Sequence, residues 1–203
     1  MKKKVAIFGG SFNPPHIGHR ELIEFIRDSF SCDEIWLMPS GDRRDKTIEI
    51  NSEHRLEMAR IFAKKIQKDF GLKIVVSTHE VEKINKTATI ETLQELSLMY
   101  PEHEFHLIVS SELVPMIKKI WVRGEELWTV ANFILIERPG SLKLNEIELP
   151  PHSTILISAT PFPDISSTQA RQISDEKILR DLVDANIAEY IIKNKIYGFK
   201  ENK

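Results

Sequence analysis

Short apolar runs alternate with helix-length amphipathic stretches along almost the whole chain, and this alternation limits the fold more than any other feature. Residues 5–8, 35–38, 73–77, 105–109 and 133–136 read as strands, with 154–157 as a sixth. Between them, 18–30, 52–70 and 90–100 carry apolar residues at helical spacing, as Leu22, Ile23, Phe25 and Ile26 do in the first. Ser52 stands where a helix cap belongs, and Pro101 stops the third helix. Residues 113–120, 125–131, 167–173 and 184–193 read as further helices, whereas 143–158 reads irregularly apart from the sixth strand. Strands separated by helices of this length build parallel βαβ units with right-handed crossovers. Strands that are apolar nearly throughout belong to a sheet covered on both faces. The expected architecture is therefore α/β: an open, doubly wound, mostly parallel sheet of five or six strands, with a small helical part over 165–203. In such sheets the ligand lies beyond the carboxyl ends of the strands, so the segment after the first strand is the first place to look for chemistry.

The size of the chain, 203 residues, suits one domain spanning 1–203, and 41% hydrophobic with 29% charged residues is a globular composition. Twenty-eight basic residues stand against 30 acidic ones, a balance that argues against a partner held by bulk charge, such as a nucleic-acid polymer or an anionic membrane. The single cysteine, Cys32, excludes an intrachain disulfide framework and any zinc site of several thiolates. No apolar run approaches the ~20 residues of a membrane span. The basic start, Met1 to Lys4, leads into an apolar run too short for a signal peptide, so a cytoplasmic protein is expected. A homo-oligomer is compatible with all of this and required by none of it.

The loop after the first strand reads Gly9-Gly10-Ser11-Phe12-Asn13-Pro14-Pro15-His16-Ile17-Gly18-His19. The glycine pair permits a tight turn and close backbone approach to a ligand. The helix that follows presents its N-terminal amides and positive dipole end to an anion. His16 and His19, three apart, face the same place at that helix start. Two imidazoles beside exposed amides suit a polyphosphate, donating hydrogen bonds and, if protonated, offsetting charge. A glycine pair alone is only a turn, but the combination with two prolines and His-x-Gly-His has no evident folding purpose. Zinc would need a third ligand that the neighbourhood does not offer, and the loop is neither a Gly-Lys-Ser/Thr phosphate loop nor a G-x-G-x-x-G dinucleotide loop.

A second cluster, Ile165-Ser166-Ser167-Thr168-Gln169-Ala170-Arg171, lies near the C-terminus. Ser-Ser-Thr before a helix caps it and supplies hydroxyls. Arg171 follows Thr168 by about one helical turn, which returns its planar fork of donors to the helix start.

Together these stretches resemble the signatures of the nucleotidyltransferase superfamily, most closely the bacterial nicotinate-nucleotide adenylyltransferases. Ser52 to Met58, Thr89 to Leu93, the Trp121 region and Arg138-Pro139-Gly140 are similar to that family's elements in order and spacing. The resemblance implies a Rossmann-like domain that transfers AMP from ATP to nicotinate mononucleotide, with Mg²⁺ accompanying ATP and no dedicated metal site on the protein. It implies His16, His19 and Arg171 as catalytic residues. Gly9, Gly10, Ser11, Phe12, Gly18, Ile165, Ser166, Ser167 and Thr168 would line the ATP site, with Phe12 as a wall. Lys46, Thr89, Ser110, Glu112, Trp121 and Arg138 would serve the acceptor nucleotide, Trp121 stacking on its pyridine ring. The partners expected are thus ATP and a pyridine mononucleotide.

The departures from the family pattern gather on the acceptor side. Ser110-Ser111-Glu112 replaces Gly-x-Asp, Ala88 replaces a tyrosine, Gly124 replaces a second tryptophan with Trp128 nearby, Ala170 replaces an isoleucine, and Arg43-Arg44-Asp45-Lys46 replaces Pro-His-Lys. They leave two alternatives open. One is transfer to nicotinamide mononucleotide, phosphopantetheine or another phosphorylated acceptor. The other is a nucleotide-binding sensor with little turnover.

Overall fold

The structure is a computed structural model in which residues 1–41, 50–83, 87–163 and 165–199 are described. Six strands, β1 (Lys3–Gly10), β2 (Glu34–Pro39), β3 (Ile74–Val76), β4 (His103–Ser110), β5 (Asn132–Glu137) and β6 (Ser153–Ile157), form one sheet in the order β3-β2-β1-β4-β5-β6. Every pairing is parallel. The helices are α1 (Ile17–Ser29), α2 (Ser52–Phe70), α3 (Thr89–Met99), α4 (Val114–Ile120), α5 (Gly124–Val130), α6 (Ser167–Gln172), α7 (Glu176–Leu182) and α8 (Ala185–Lys193).

The period of two in each strand builds two cores. Ala6, Ile35, Leu37, Ile134, Ile136 and Leu156 point to the face covered by α1, α2 and the C-terminal helices, where Ile23, Ile26, Met58 and Ile187 meet them. Their neighbours Val5, Ile7, Trp36, Phe105, Leu107, Phe133 and Leu135 point to the other face, under Ile90, Leu93, Ile117 and Leu127 of α3–α5. Each fully buried Ile or Leu contributes about 1.5–3 kcal/mol, so both faces are held firmly. The chain covers one face on the way from β1 to β3, then crosses to the other for β4 and β5. The direction of winding reverses between β1 and β4, which opens a crevice at their carboxyl ends.

Several local expectations are corrected. Asn51 caps α2, its Oδ1 accepting from the His54 amide at 3.0 Å, so Ser52 is the first helical residue. α7, which the periodicity did not reveal, starts where Asp175 accepts from the Ile178 amide at 3.0 Å. The irregular stretch contains a short 3-10 turn, Leu144–Glu146, before β6. Gly124 is no vacancy left by a tryptophan: a Cβ there would lie 1.9 Å from the Ile117 carbonyl oxygen, so the close crossing of α4 and α5 demands glycine. Trp128 is buried in the second core with the Lys118 ammonium 4.4 Å above its ring. Ala170 is fully buried against the first core.

Candidate functional site

β1 delivers the chain to the crevice at Gly9 and Gly10, paired in register with Met38 and Pro39 of β2. Gly9 is exposed, and a Cβ there would meet nothing within 4 Å, so this strand end faces open space. Phe12 then takes φ 46° and turns its ring completely inward. That corrects one expectation: Phe12 is a floor beneath the loop rather than a wall beside a nucleotide.

The His19 ring stands on that floor, 5.4 Å from Phe12, 5.6 Å from Phe8 and 3.7 Å from the His16 ring, centre to centre. Gly18 makes the arrangement possible, because a Cβ there would sit 3.1 Å from the His16 ring. His16 is the residue before α1, and its backbone amide donates to His19 Nδ1 at 3.0 Å. A neutral His19 therefore carries its proton on Nε2 and keeps an N–H donor there. The first amides of α1 have no acceptor within the helix, so they add further donors at the same end. Burial pushes the His16 imidazole down to about 4, and burial together with the adjacent His16 pushes His19 well below its ordinary value. Both rings are neutral near pH 7 in the ligand-free protein, so they act as hydrogen-bonding groups rather than as cations.

A pH dependence follows. Between the unfolded value of 6.5 and about 4, the unfolded chain binds a proton that native His16 refuses, so the stability this group contributes is present above pH 6.5 and is lost as pH falls. The His16 imidazole signal in NMR is expected to titrate near pH 4, against about 6.5 for an unperturbed histidine. A midpoint above 6 would show the ring to be solvated.

The second cluster reaches the same loop from the other end of the chain. Ser167 Oγ donates to the Pro14 carbonyl at 3.0 Å. Arg171 Nη1 donates to the Asn13 carbonyl at 3.0 Å, and its Nη2 to Thr168 Oγ1 at 3.1 Å. Ile165 is half-buried just before α6. Ser166 is committed to capping: it accepts from the Gln169 amide at 3.2 Å, while Gln169 Oε1 accepts from the Ser166 amide at 2.7 Å. Of the hydroxyls expected at the phosphates, Ser166 thus serves its own helix and Ser167 braces the first loop.

Of the residues expected at the acceptor nucleotide, Glu112 and Arg138 form an ion pair at 2.9 Å. Burial would raise Glu112, but its own backbone amide, Arg138 and the Ser110 hydroxyl outweigh it and hold the carboxyl below the usual range. Ser111 is fully buried and donates to Ser141 Oγ at 3.0 Å, which in turn donates to the Arg138 carbonyl at 2.7 Å. Ser111 therefore stitches the end of β4 to the turn after β5. Thr89 is half-buried at the first turn of α3, whose start is capped by Glu91 accepting from the Ala88 amide at 2.9 Å. Trp121 ends α4, half-buried against the second core, and no hydrogen bond or ring contact joins it to the first loop among the described residues. Lys46 lies outside the described residues.

Two residues were given no role by the sequence. Arg55, on α2 and only 1% exposed, donates from Nη1 to the Ser40 carbonyl at 2.6 Å and the Ser11 carbonyl at 3.2 Å. It binds the loops after β1 and β2 into one rim. Tyr197, near the C-terminus, donates to Asn13 Oδ1 at 2.6 Å. The Arg55 motif was visible in the sequence, but its partners were not.

A doubly wound sheet with imidazoles, helix-start amides and a guanidinium converging at the end of β1 defines a nucleotide-phosphate-binding α/β protein. The chain belongs to the cytidylyltransferase-like family, whose profile matches residues 7–173. The nicotinate-nucleotide adenylyltransferase of Bacillus subtilis (strain 168) is 30% identical over 198 residues, 96% of this chain and 98% of that protein. The Plasmodium falciparum nicotinic acid mononucleotide adenylyltransferase complexed with NaAD superposes with a TM-score of 0.84 at 25% identity, covering 98% of this chain and all of that one. The same enzyme complexed with APC gives 0.81 at 25% identity over the same share of this chain.

Proposed function

We propose that this chain transfers the adenylyl group of MgATP to the 5′-phosphate of nicotinate mononucleotide, giving deamido-NAD and pyrophosphate. The observation that carries the reading is the meeting of two clusters far apart in sequence: Ser167 and Arg171 hold the carbonyls of Pro14 and Asn13, beside the imidazole pair. The named activities of the Bacillus subtilis and Plasmodium falciparum relatives support it. The reading treats 1–203 as one nucleotidyltransferase domain working in the cytoplasm, where ATP and the mononucleotide meet. None of the described helices is long and apolar enough to cross a membrane.

In the reaction, an oxygen of the acceptor phosphate attacks the α-phosphorus of ATP in line. The bond from that phosphorus to the bridging oxygen breaks, and pyrophosphate leaves with the electron pair. The nucleophile is already an anion at neutral pH, so neither a strong base nor a covalent enzyme intermediate is needed. Catalysis is alignment and stabilisation of phosphate charge. His19 donates from Nε2 to a phosphate oxygen, the amides at the start of α1 bind the same charge, and Arg171 closes the opposite side with Thr168. Among the described residues, no group of three or more His, Cys, Asp or Glu side chains gathers to hold a cation. The donors at the loop are N–H groups rather than carboxylates, so they fit a metal that arrives already bound to the nucleotide. When bound, Mg²⁺ neutralises charge on the phosphate oxygens. Thr89, Trp121 and the Glu112–Arg138 pair are the groups available to the acceptor, the last beyond β4 across the crevice from the first loop.

The test is pyrophosphate release from MgATP with a panel of nicotinate mononucleotide, nicotinamide mononucleotide and phosphopantetheine. Release with nicotinate mononucleotide in clear preference is the expected result. Preference for another acceptor moves the specificity, and nucleotide binding without release for any of them leaves a sensor rather than an enzyme.

A further inference from the structure

We propose that Tyr197 is a positioning residue for the phosphate-binding loop: its hydroxyl grips the Asn13 carboxamide and thereby sets where the His16–His19 pair stands. This rests on the adenylyl-transfer reading above. The bond from Tyr197 Oη to Asn13 Oδ1 is 2.6 Å long. It lies in the interior, Tyr197 being 6% and Asn13 2% exposed. The hydroxyl is the donor and the carboxamide oxygen the acceptor, so removal of the hydroxyl takes a donor from a buried acceptor.

The tail is seated with care for this contact. Tyr197 and Lys195 both take left-handed backbone, φ 57° and 51°, which residues with a Cβ rarely adopt. Gly198 follows because a Cβ there would lie 2.2 Å from the Ile173 carbonyl oxygen. The tail therefore presses directly onto the residue after α6, the helix that carries Arg171. The Tyr197 ring belongs to the first core with Ile196, so the ring packs the tail while the hydroxyl grips Asn13.

Asn13 is the pivot of the loop. On one side stands Phe12, whose ring supports His19 at 5.4 Å. On the other stand Pro14, Pro15 and His16. Three donors hold residues 13 and 14, from Tyr197, Arg171 and Ser167, and all three come from the C-terminal part. A phosphate-binding constellation must be kept within about 0.5 Å of its productive geometry. A loop with two glycines at its start and, among the described residues, no strand pairing beyond Gly10 needs such braces from outside.

The experiment compares the full chain with Tyr197→Phe, Asn13→Ala and the double variant. Tyr197→Phe is expected to lower kcat by about tenfold through misplacement of the imidazoles, with KM for nicotinate mononucleotide unchanged. Melting is expected within about 4 °C of the parent. In the Asn13→Ala background, Tyr197→Phe is expected to change kcat no further, because the hydroxyl acts through that carboxamide. The His16 and His19 imidazole NMR signals of the ligand-free protein are expected to move in Tyr197→Phe. Full kcat in Tyr197→Phe overturns the inference, as does an equal loss in both backgrounds. If the parent itself releases no pyrophosphate with any acceptor, the functional reading fails, and the imidazole signals alone decide the role of Tyr197: unmoved signals overturn it.

Discussion

Alanine in place of His19 is expected to lower kcat by about 10²-fold or more, the usual loss when one preorganised donor to transition-state charge is removed. The structure gives the reason in atoms. His19 Nδ1 is occupied as the acceptor of the His16 amide, so the neutral ring keeps its N–H donor on Nε2. Phe8, Phe12 and His16 surround it and keep it neutral. A donor held this way needs no reorientation as charge develops on the phosphates. His19→Asn makes the test sharper. Its side-chain oxygen is able to accept from the His16 amide, yet the Nε2 donor is gone, so its turnover is expected to match that of alanine while its melting temperature stays nearer the parent's. Steady-state pyrophosphate release and thermal denaturation read both quantities. Full turnover in His19→Ala, with the fold intact, would remove the imidazole from the reaction.

Arg171→Lys is expected to lower kcat/KM for MgATP by roughly 10- to 100-fold, equivalent to about 1.5–3 kcal/mol for a lost charged hydrogen bond. The guanidinium spans the Asn13 carbonyl with one nitrogen and Thr168 Oγ1 with the other. A lysine ammonium is a point donor on a flexible stem and cannot serve a bridge and a phosphate with the same fork. Titration with MgATP by calorimetry and initial rates over a range of MgATP check the effect. Unchanged affinity and turnover would leave Arg171 as a brace of the loop only.

Motif comparison and packing diverge around α4 and the ends of β4 and β5. Gly124 looked like a missing tryptophan, yet the Ile117 carbonyl leaves no room for any side chain there. Ser111, the unspecified middle residue of the element that departs from Gly-x-Asp, joins the end of β4 to the turn after β5 through Ser141. Both residues are consistent with their surroundings, Gly124 against the Ile117 carbonyl and Ser111 against Ser141.

The doubly wound sheet was legible before any coordinates because burial in strands and helices repeats with a local period. Val5 and Ala6 point to opposite cores for the same reason that Leu22 and Ile26 share a helix face. The meeting of His16 and His19 at a helix start was legible too, since Gly9 to His19 is one short stretch between a strand and a helix. Phe12 was misread as a wall, because the sign of its φ angle leaves no mark in a pattern of apolar residues. Ser-Ser-Thr was read as both cap and hydroxyl source, and only the placed neighbours show that Ser166 is the cap. The grips of Arg55 on Ser11 and Ser40, and of Ser167, Arg171 and Tyr197 on residues 13 and 14, came only with the folded chain. They join residues up to 184 positions apart. Such contacts depend on which strand lies beside which and on how the tail returns across the sheet, and no local periodicity carries that information.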